Sequence, residues 1–212
     1  MSDDEKPLFA GLLLAAGGGR RLGGRPKALL CHRGRPLVEH AVRVLREGGC
    51  GEVHVVLGAA SALVRERAAL DGCVLVDNPD WEEGMGSSLR AGLASLTGAA
   101  GAARTAGAAG TAPRAVLVSL VDQPGIGAAA MRRVAGAGVS AVSLTAAAYD
   151  GKRGHPVLLG ADRWADVAAS AAGDRGARAY LRAHEAEITL VECGDVAEAY
   201  DIDVEADLAR LE

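Results

Sequence analysis

The feature of the sequence that most constrains the fold is an apolar run, from Phe9 to Ala16, that ends in glycines. A run of this kind, without alternating polar residues, is typical of a strand buried on both faces, as in a parallel sheet covered by helices. Val53–Gly58 and Cys73–Asp77 have the same character. Between these strands, Leu37–Glu47 and Ser61–Leu70 carry apolar residues at helical spacing. The order strand, helix, strand, helix, strand predicts βαβ units and an α/β fold.

The second half of the chain has a less regular pattern. Further strands are predicted at Ala115–Val121, Val139–Thr145, Pro156–Leu159 and Ile188–Cys193. Further helices are predicted at Ser87–Leu96, Met131–Ala137, Ala161–Ala169, Ala177–Ala183 and Val204–Leu211. Thr97–Pro113 is almost pure Gly, Ala and Thr, and because such residues have little side-chain surface to bury, it is predicted to be a flexible surface loop. No internal repeat or linker divides the chain, so one α/β domain is predicted over residues 1–212.

Composition and charge disfavour several classes of protein. Of the 212 residues, 50% are hydrophobic and 24% are charged, which is close to an average globular domain. With 23 basic and 27 acidic residues, the formal net charge is −4, which disfavours a nucleic-acid binder that relies on bulk positive charge. No apolar run is long enough to span a bilayer, and the acidic first residues are unlike a secretory signal. These features predict a cytoplasmic protein that binds neither nucleic acid nor membranes.

A segment rich in glycine and basic residues follows the first predicted strand. It runs from Leu14 to Lys27 and reads Leu-Ala-Ala-Gly-Gly-Gly-Arg-Arg-Leu-Gly-Gly-Arg-Pro-Lys. Glycines lack a Cβ and let backbone N–H groups approach an anion closely, while Arg and Lys side chains add positive charge. The combination predicts a phosphate-binding loop; the alternative is a glycine-rich turn with incidental basic residues. Lysine is rare in this chain, which makes Lys27 informative.

Two well-known phosphate-binding motifs do not match this loop. A dinucleotide fingerprint requires G-x-G-x-x-G, but Leu22 stands where the third glycine is needed, and the second predicted strand ends without an acidic residue for a ribose. A Walker loop requires Gly-Lys-Ser/Thr, whereas Lys27 follows a proline and precedes an alanine. The loop therefore belongs to neither motif.

Six segments, in order along nearly the whole chain, match the motifs of one enzyme family. The loop is similar to the pattern L-A-A-G-x-S-x-R-M-G-x-x-K, with Gly19 in place of the serine, Leu22 in place of the methionine and one extra residue before Lys27. The later matches are N-P-D-W-E-E-G-M-G-S-S-L from Asn78, D-Q-P from Asp122, G-H-P-V from Gly154, G-D-R-G-A-R from Gly173, and D-I-D from Asp201 with Asp207-Leu208. Together they resemble the MobA-like nucleotidyltransferases, and most closely the molybdenum cofactor cytidylyltransferase branch.

The resemblance implies a fold and a reaction. The fold is a single Rossmann-like, three-layer α/β/α domain with a mostly parallel sheet, of the nucleotide-diphospho-sugar transferase type. In it, residues 8–96 bind the nucleotide, 97–113 form the flexible loop, and 114–212 bind metal and acceptor. In the reaction, an acceptor phosphate attacks the α-phosphorus of a nucleoside triphosphate, and pyrophosphate leaves. Because the acceptor is already ionised at neutral pH, the enzyme needs Mg²⁺ (or Mn²⁺) and positive charge rather than a strong general base.

Four residues are expected to carry this chemistry. Lys27 is expected to stabilise charge on the α-phosphate and pyrophosphate, with Arg21 holding the triphosphate. Asp122 follows an apolar strand, at the end where ligands bind in open α/β sheets, and is expected to bind the cation; alternatively, it only caps a turn. Asp203 is expected to be a second metal ligand; alternatively, it is the N-cap of the helix predicted from residue 204.

The remaining site residues are assigned through the resemblance to nucleotide and acceptor. The nucleotide-binding residues are Ala15, Ala16, Gly17, Gly18, Gly19, Lys27, Asn78, Gly84, Ser87 and Ser88. Ser87 begins a predicted helix and is alternatively only its cap. The acceptor-binding residues are His155, Asp174 and Arg178, the last two in a turn that opens a helix and suits an anion.

The substrates implied are CTP, as the source of CMP, and molybdopterin carrying molybdenum, with a molybdoenzyme or its chaperone as a further partner. Three alternatives stay open. One is guanylyl transfer to a related pterin or a phosphorylated organic acid. Another is a reductase using NAD(P)H or a flavin on the same fold, against which the failed dinucleotide motif counts. The last is a non-catalytic cofactor-loading chaperone, against which the presence of Lys27 and Asp122 counts.

Overall fold

The fold is a layered α/β structure around one large sheet. A computed structural model describes residues 9–97 and 112–211. Its strands are β1 (Phe9–Leu14), β2 (Cys31–His32), β3 (Arg35–Pro36), β4 (Val53–Leu57), β5 (Cys73–Asp77), β6 (Ala115–Leu120), β7 (Leu144–Tyr149), β8 (Lys152–Gly160) and β9 (Thr189–Glu192). Its α-helices are α1 (Leu37–Glu47), α2 (Ser61–Arg67), α3 (Met85–Thr97), α4 (Ala128–Gly136), α5 (Trp164–Ser170) and α6 (Arg178–Ala183).

The main sheet is mostly parallel, as predicted. Within the described residues it has seven strands in the order β5-β4-β1-β6-β8-β7-β9. Parallel pairs join β1 to β4 and β6, β4 to β5, and β7 to β9. β8 runs antiparallel to both of its neighbours. β2 and β3 form a separate two-stranded hairpin.

Helices cover both faces of the sheet, which confirms the predicted three layers. Successive residues of a strand point to opposite faces, and the central strand β1 follows this rule. Leu13 belongs to the core that α1, α2 and α4 complete, whereas Leu12 and Leu14 belong to the core that α3, α5 and α6 complete. Leu12 and Leu13 are fully buried. A strand buried on both faces explains why the opening apolar run contains no polar residue.

The first half of the chain follows the sequence prediction closely, and the second half departs from it at three places. A strand was expected at Val139–Thr145, but β7 begins only at Leu144 and Val142 is 60% exposed. β7 and β8 form a hairpin whose turn contains Asp150 and Gly151, both with positive φ. β8 begins directly after this turn, at Lys152, and is therefore longer than the expected Pro156–Leu159. The expected helix at Val204–Leu211 is a 3₁₀ helix over Glu205–Leu211.

Residues 98–111 lie outside the described part of the chain, and with them most of the expected flexible loop at 97–113. The division into residues 8–96, 97–113 and 114–212 therefore stays a prediction. Within the described residues, no helix combines the length and the apolar character that crossing a membrane requires.

Candidate active site

The largest group of predicted site residues meets in one cavity, of about 790 Å³, at the carboxyl ends of β1 and β6. Open α/β sheets bind their ligands at this edge. Predicted site residues that line the cavity are Ala16, Gly17, Gly18, Gly19, Arg21, Lys27, Gly84, Ser88, Asp122, His155, Asp174, Arg178 and Asp203. Ala15, Asn78 and Ser87 do not line it. We call this space the catalytic cavity.

The glycine-rich loop forms one wall of the catalytic cavity and is folded tightly on itself. Gly19 has a φ of 61°, in the left-handed region, and its carbonyl accepts hydrogen bonds from the N–H groups of Leu22 and Gly24. A Cβ at Gly19 would lie 1.8 Å from the carbonyl oxygen of Arg25, so no other residue fits there without a rearrangement. The loop ends in a 3₁₀ turn, Lys27–Leu29, which places Lys27 at the cavity.

Lys27 lies between the two carboxylates that were predicted as metal ligands. Its Nζ donates a hydrogen bond of 2.7 Å to Asp122 Oδ2 and a second, short one to Asp203 Oδ1. The Lys27 and Asp122 side chains are only 14% and 19% exposed. Arg21 lies farther out, with Nη1 3.8 Å from Asp203 Oδ2 and a side chain that is 76% exposed. Residues 95 and 176 positions apart are thus brought into direct contact.

The burial of this ion pair affects both partners. Burial lowers the pKa of Lys27, but the carboxylates of Asp122 and Asp203 outweigh it, and the pKa is raised above its ordinary value. Burial raises the pKa of Asp122, and the positive charge of Lys27 acts in the opposite direction. Lys27 is therefore positively charged at neutral pH, and the pKa of Asp122 is raised above its ordinary value because burial outweighs the charge of Lys27.

Backbone contacts fix the two carboxylates relative to each other. Asp122 lies two residues beyond the end of β6, and its carbonyl oxygen accepts a hydrogen bond of 2.9 Å from the N–H of Ile202, next to Asp203. Asp207 Oδ2 accepts the N–H groups of both Asp203 and Val204, at 2.9 Å each. Asp207, and not Asp203, caps this turn. The Asp203 side chain is free of a capping role and contacts Lys27 and Arg21 instead.

The donor set fits Mg²⁺ or Mn²⁺. Hard divalent cations prefer carboxylate oxygens, and Mg²⁺ in phosphate-transferring sites is held by one or two carboxylates plus substrate phosphates. Asp122 and Asp203 supply two carboxylates that already converge on one positive charge, the Lys27 ammonium. Within the described residues, no group of three or more His, Cys, Asp or Glu side chains is placed to hold a metal. Substrate oxygens would have to complete the coordination.

Asn78 and Ser87 lie behind the cavity wall and hold each other. Asn78 is 4% exposed and its Nδ2 donates to the hydroxyls of Ser87 (2.9 Å) and Ser88 (3.0 Å). Ser87 Oγ in turn donates to the carbonyls of Asp80 and Gly84. Because α3 begins at Met85, Ser87 lies inside its first turn, and the alternative that it is the N-cap is wrong. This network braces the wall that Gly84 and Ser88 present to the cavity.

Trp81, Arg153 and Asp201 also line the catalytic cavity, and sequence reasoning had given them no role. The Trp81 ring packs on the glycine-rich loop: a Cβ at Gly18 would lie 3.3 Å from Trp81 Cζ3. Asp201 Oδ1 accepts a hydrogen bond of 2.8 Å from the side-chain amide of Gln123. Trp81 and Asp201 lie within the matched motifs, which could have indicated a role for them. Arg153 lies outside every motif, so no pattern pointed to it.

The three residues assigned to the acceptor all line the catalytic cavity. Burial lowers the pKa of His155 to about 4, the nearby Asp201 opposes this shift, and Arg178 adds to it. His155 is thus neutral at pH 7 and donates or accepts a hydrogen bond without carrying charge. Asp174 also lies against Gly84, which was assigned to the nucleotide: a Cβ at Gly84 would be 2.4 Å from Asp174 Oδ1.

Comparison with protein families gives one match over most of the chain. The model described as "MobA-like NTP transferase domain" matches residues 11–188. That range contains the glycine-rich loop, Lys27, Asp122 and His155, and it ends before Asp203.

Among individual proteins, the chain is 38% identical to the nicotine blue oxidoreductase of Paenarthrobacter nicotinovorans, over 100% of both chains. It is 49% identical to the molybdenum cofactor guanylyltransferase of Pseudomonas putida, over 43 residues that make up 20% of this chain and 22% of that protein. The crystal structure of Rv0371c from Mycobacterium tuberculosis, in complex with manganese, is similar at 25% identity with a TM-score of 0.70, covering 96% of this chain and 97% of that one.

Proposed function

Because the chain belongs to the MobA-like NTP transferase family, we propose that it transfers CMP from CTP to a phosphorylated acceptor, molybdopterin carrying molybdenum, and releases pyrophosphate. The observation that carries the proposal is the contact of Lys27 with Asp122 and Asp203 at the mouth of the glycine-rich loop. A buried lysine between two carboxylates, beside backbone shaped for an anion, suits a reaction of phosphates with a divalent cation.

The chain's own residues would act mainly by alignment and neutralisation. Backbone N–H groups of Gly17–Gly19 and the Arg21 side chain would hold the triphosphate. The Lys27 ammonium would stabilise the charge that develops as the bond between the α-phosphorus and pyrophosphate breaks and the bond to the acceptor oxygen forms. Asp122 and Asp203 would hold Mg²⁺ or Mn²⁺, which supplies neutralisation of the phosphate charges. His155 and Arg178 would position the acceptor, which needs no base because it is already ionised.

The choice of CTP depends on the resemblance to the cytidylyltransferase branch, and the guanylyltransferase of P. putida keeps GTP as a candidate. The wall around Gly84 and Ser88 would read the base, with Asn78 and Ser87 fixing its shape from behind. The first test is pyrophosphate release with CTP, GTP, ATP and UTP in turn, with Mg²⁺ or Mn²⁺ and molybdopterin as acceptor. We expect release with CTP and its loss in Asp122→Asn. Release with GTP alone would move the assignment to guanylyl transfer.

A second candidate function is supported by the nicotine blue oxidoreductase, to which the chain is similar along its full length. A reductase would oxidise NADH or NADPH without need of a divalent cation. The decisive assay measures NAD(P)H oxidation, with nicotine blue as the oxidant, in the presence of a chelator. Oxidation that survives the chelator and the Asp122→Asn change, without pyrophosphate release from any triphosphate, would establish the reductase and exclude the transferase.

A further inference from the structure

A second cavity, of about 620 Å³, lies outside the catalytic cavity. Its walls come from the β2–β3 hairpin, α1, the start of α4 and the segment 194–200. We call it the arginine cavity and define it by Arg33, Arg43 and Arg210 with His40, Gly127 and Tyr200, all of which line it. A volume of this size is typical of pockets that bind small molecules.

Two of the three arginines form no ion pair with an acidic side chain in the described part of the protein. Arg43 forms an ion pair of 3.0 Å with Glu47 in the next turn of α1. Arg33 and Arg210, by contrast, have no carboxylate within 4 Å anywhere in residues 9–97 and 112–211. The Arg210 guanidinium lies 4.6 Å above the Tyr200 ring, which leaves its edge N–H groups available. The pKa of Asp207 is lowered mainly by the two backbone N–H groups that it accepts, and the positive charge of Arg210 lowers it further.

The acidic residues of the arginine cavity are largely neutralised. Glu47 is paired with Arg43, and Asp195 is paired through both of its oxygens with Arg133, which lies outside the cavity lining. Glu198 is the remaining acidic residue of the lining. The unpaired charges at the wall are therefore two positive and one negative, which favours an anion as ligand.

Backbone donors add to this positive surface. The nine-residue helix α4 begins at Ala128, and Gly127 caps it without any side-chain hydrogen bond. Within the described residues, the N–H groups of Gly127 and Ala128 make no backbone hydrogen bond. Both residues line the cavity. Free N–H groups at a helix N-terminus bind phosphate oxygens when basic side chains stand nearby.

His40 also reports a positive environment. Burial lowers its pKa, and the charges of His32, Arg43 and Arg33 lower it further. Its ring packs edge-on against His32 at a centroid distance of 4.8 Å. A hydrogen bond between the imidazole and the Pro124 backbone, at the cavity wall, acts on this pKa in the opposite direction.

We propose that the arginine cavity is a second ligand site, for a small phosphate-bearing anion, held by Arg33, Arg210 and the N-terminus of α4. The site is separate from the proposed catalytic reaction and does not depend on it. The two cavities draw on the same chain segments: Pro124 lies two residues after Asp122, and Tyr200 lies three residues before Asp203.

Equilibrium dialysis with labelled inorganic pyrophosphate, in the presence of a chelator, tests this site. The background is Lys27→Gln, which removes the buried cation of the catalytic cavity. We expect pyrophosphate to bind to this background and its affinity to fall about tenfold or more when Arg33→Gln and Arg210→Gln are added, since each removes a charged donor. Arg67→Gln removes an exposed arginine of α2 that lines neither cavity, and it should leave binding unchanged.

Arg33 lies in the turn of the β2–β3 hairpin with a φ of 50°. Arg33→Asn removes the charge with a residue that tolerates this backbone conformation, and it should weaken binding as Arg33→Gln does. An absence of binding to the Lys27→Gln protein, or binding that the arginine changes leave intact, would overturn the proposal. Neither result depends on turnover of a nucleoside triphosphate, so the test is distinct from that of the proposed function.

Discussion

The two sides of the catalytic cavity are built in different ways. The carboxylate side is fixed by the fold: Asp122 follows the buried strand β6, and a backbone hydrogen bond ties it to the segment of Asp203. The loop side is shaped mainly by turns within the loop, with glycines in the left-handed region, packing against the Trp81 ring, and Arg21 largely exposed. Lys27 joins the two sides. The sheet therefore determines the position of the cation, whereas binding of the phosphates depends on the glycine conformations of one loop.

The most severe way to break the carboxylate side is Asp122→Asn. It removes a charge that the cation requires, and we expect pyrophosphate release to fall by about 10³-fold or more, because metal neutralisation supplies several kcal/mol. The chain should stay folded, since the amide still accepts a hydrogen bond from Lys27. Asp77→Asn, a change in an exposed carboxylate paired with Arg65, is the control. A rate within tenfold of the unchanged protein would exclude Asp122 from the cation site.

Lys27→Ala breaks the connection between the two sides. Loss of a preorganised group that stabilises developing charge costs about 10²-fold or more in rate, and we expect the fall in kcat rather than in KM alone. Lys152→Ala, at the exposed start of β8, is the matched lysine control and should leave the rate of pyrophosphate release unchanged. Steady-state pyrophosphate release measures both variants, and equal rates for them would contradict the role of Lys27.

Gly19→Ala tests the loop side without touching a charge. The added Cβ meets the carbonyl oxygen of Arg25, so the loop must rearrange, and we expect KM for the triphosphate to rise about tenfold. Gly24→Ala is the matched control because Gly24 also has a positive φ, of 79°, but has open space where a Cβ would lie. Equal effects of the two changes would mean that backbone strain, and not the shape of the loop, explains the loss.

The smallest expected effect concerns His155 and pH. Its folded-state pKa, about 4, lies below the ordinary value of 6.5. Between these values the unfolded chain binds the extra proton and the folded chain does not, so stability is full above pH 6.5 and falls as the pH drops toward 4. Because part of the residue is accessible from the cavity, we expect a loss of about 1 kcal/mol. Urea unfolding of the unchanged protein and of His155→Gln checks this: the variant should lose less stability between pH 7 and pH 4.5.

The sequence predicted the first half of the fold well because each βαβ unit there has clear apolar periodicity and turn signals. Helix α1 has the predicted bounds, Leu37–Glu47. In the second half, Val139 and Val142 favoured a strand that begins too early in the sequence. The observed strand, β7, contains three consecutive alanines, from Ala146 to Ala148. Alanine has little strand propensity, so the pattern favoured the wrong residues.

The site was predicted residue by residue only through the motifs. Lys27 and Asp203 are 176 positions apart in the sequence, so no local pattern could predict their contact. Asn78 and Ser87 show the opposite case. A polar residue looks the same in the sequence whether its side chain contacts a ligand or another side chain. The side chains of Asn78 and Ser87 contact each other.

The most direct test of the account is the structure of crystals soaked with Mn²⁺ and a non-hydrolysable CTP analogue, with anomalous diffraction to locate the metal. We expect a manganese peak coordinated by both Asp122 and Asp203, with the triphosphate along Gly17–Gly19 and the Lys27 ammonium in contact with a phosphate oxygen. A metal peak away from these two carboxylates, or a nucleotide bound without contact to the glycine-rich loop, would contradict it.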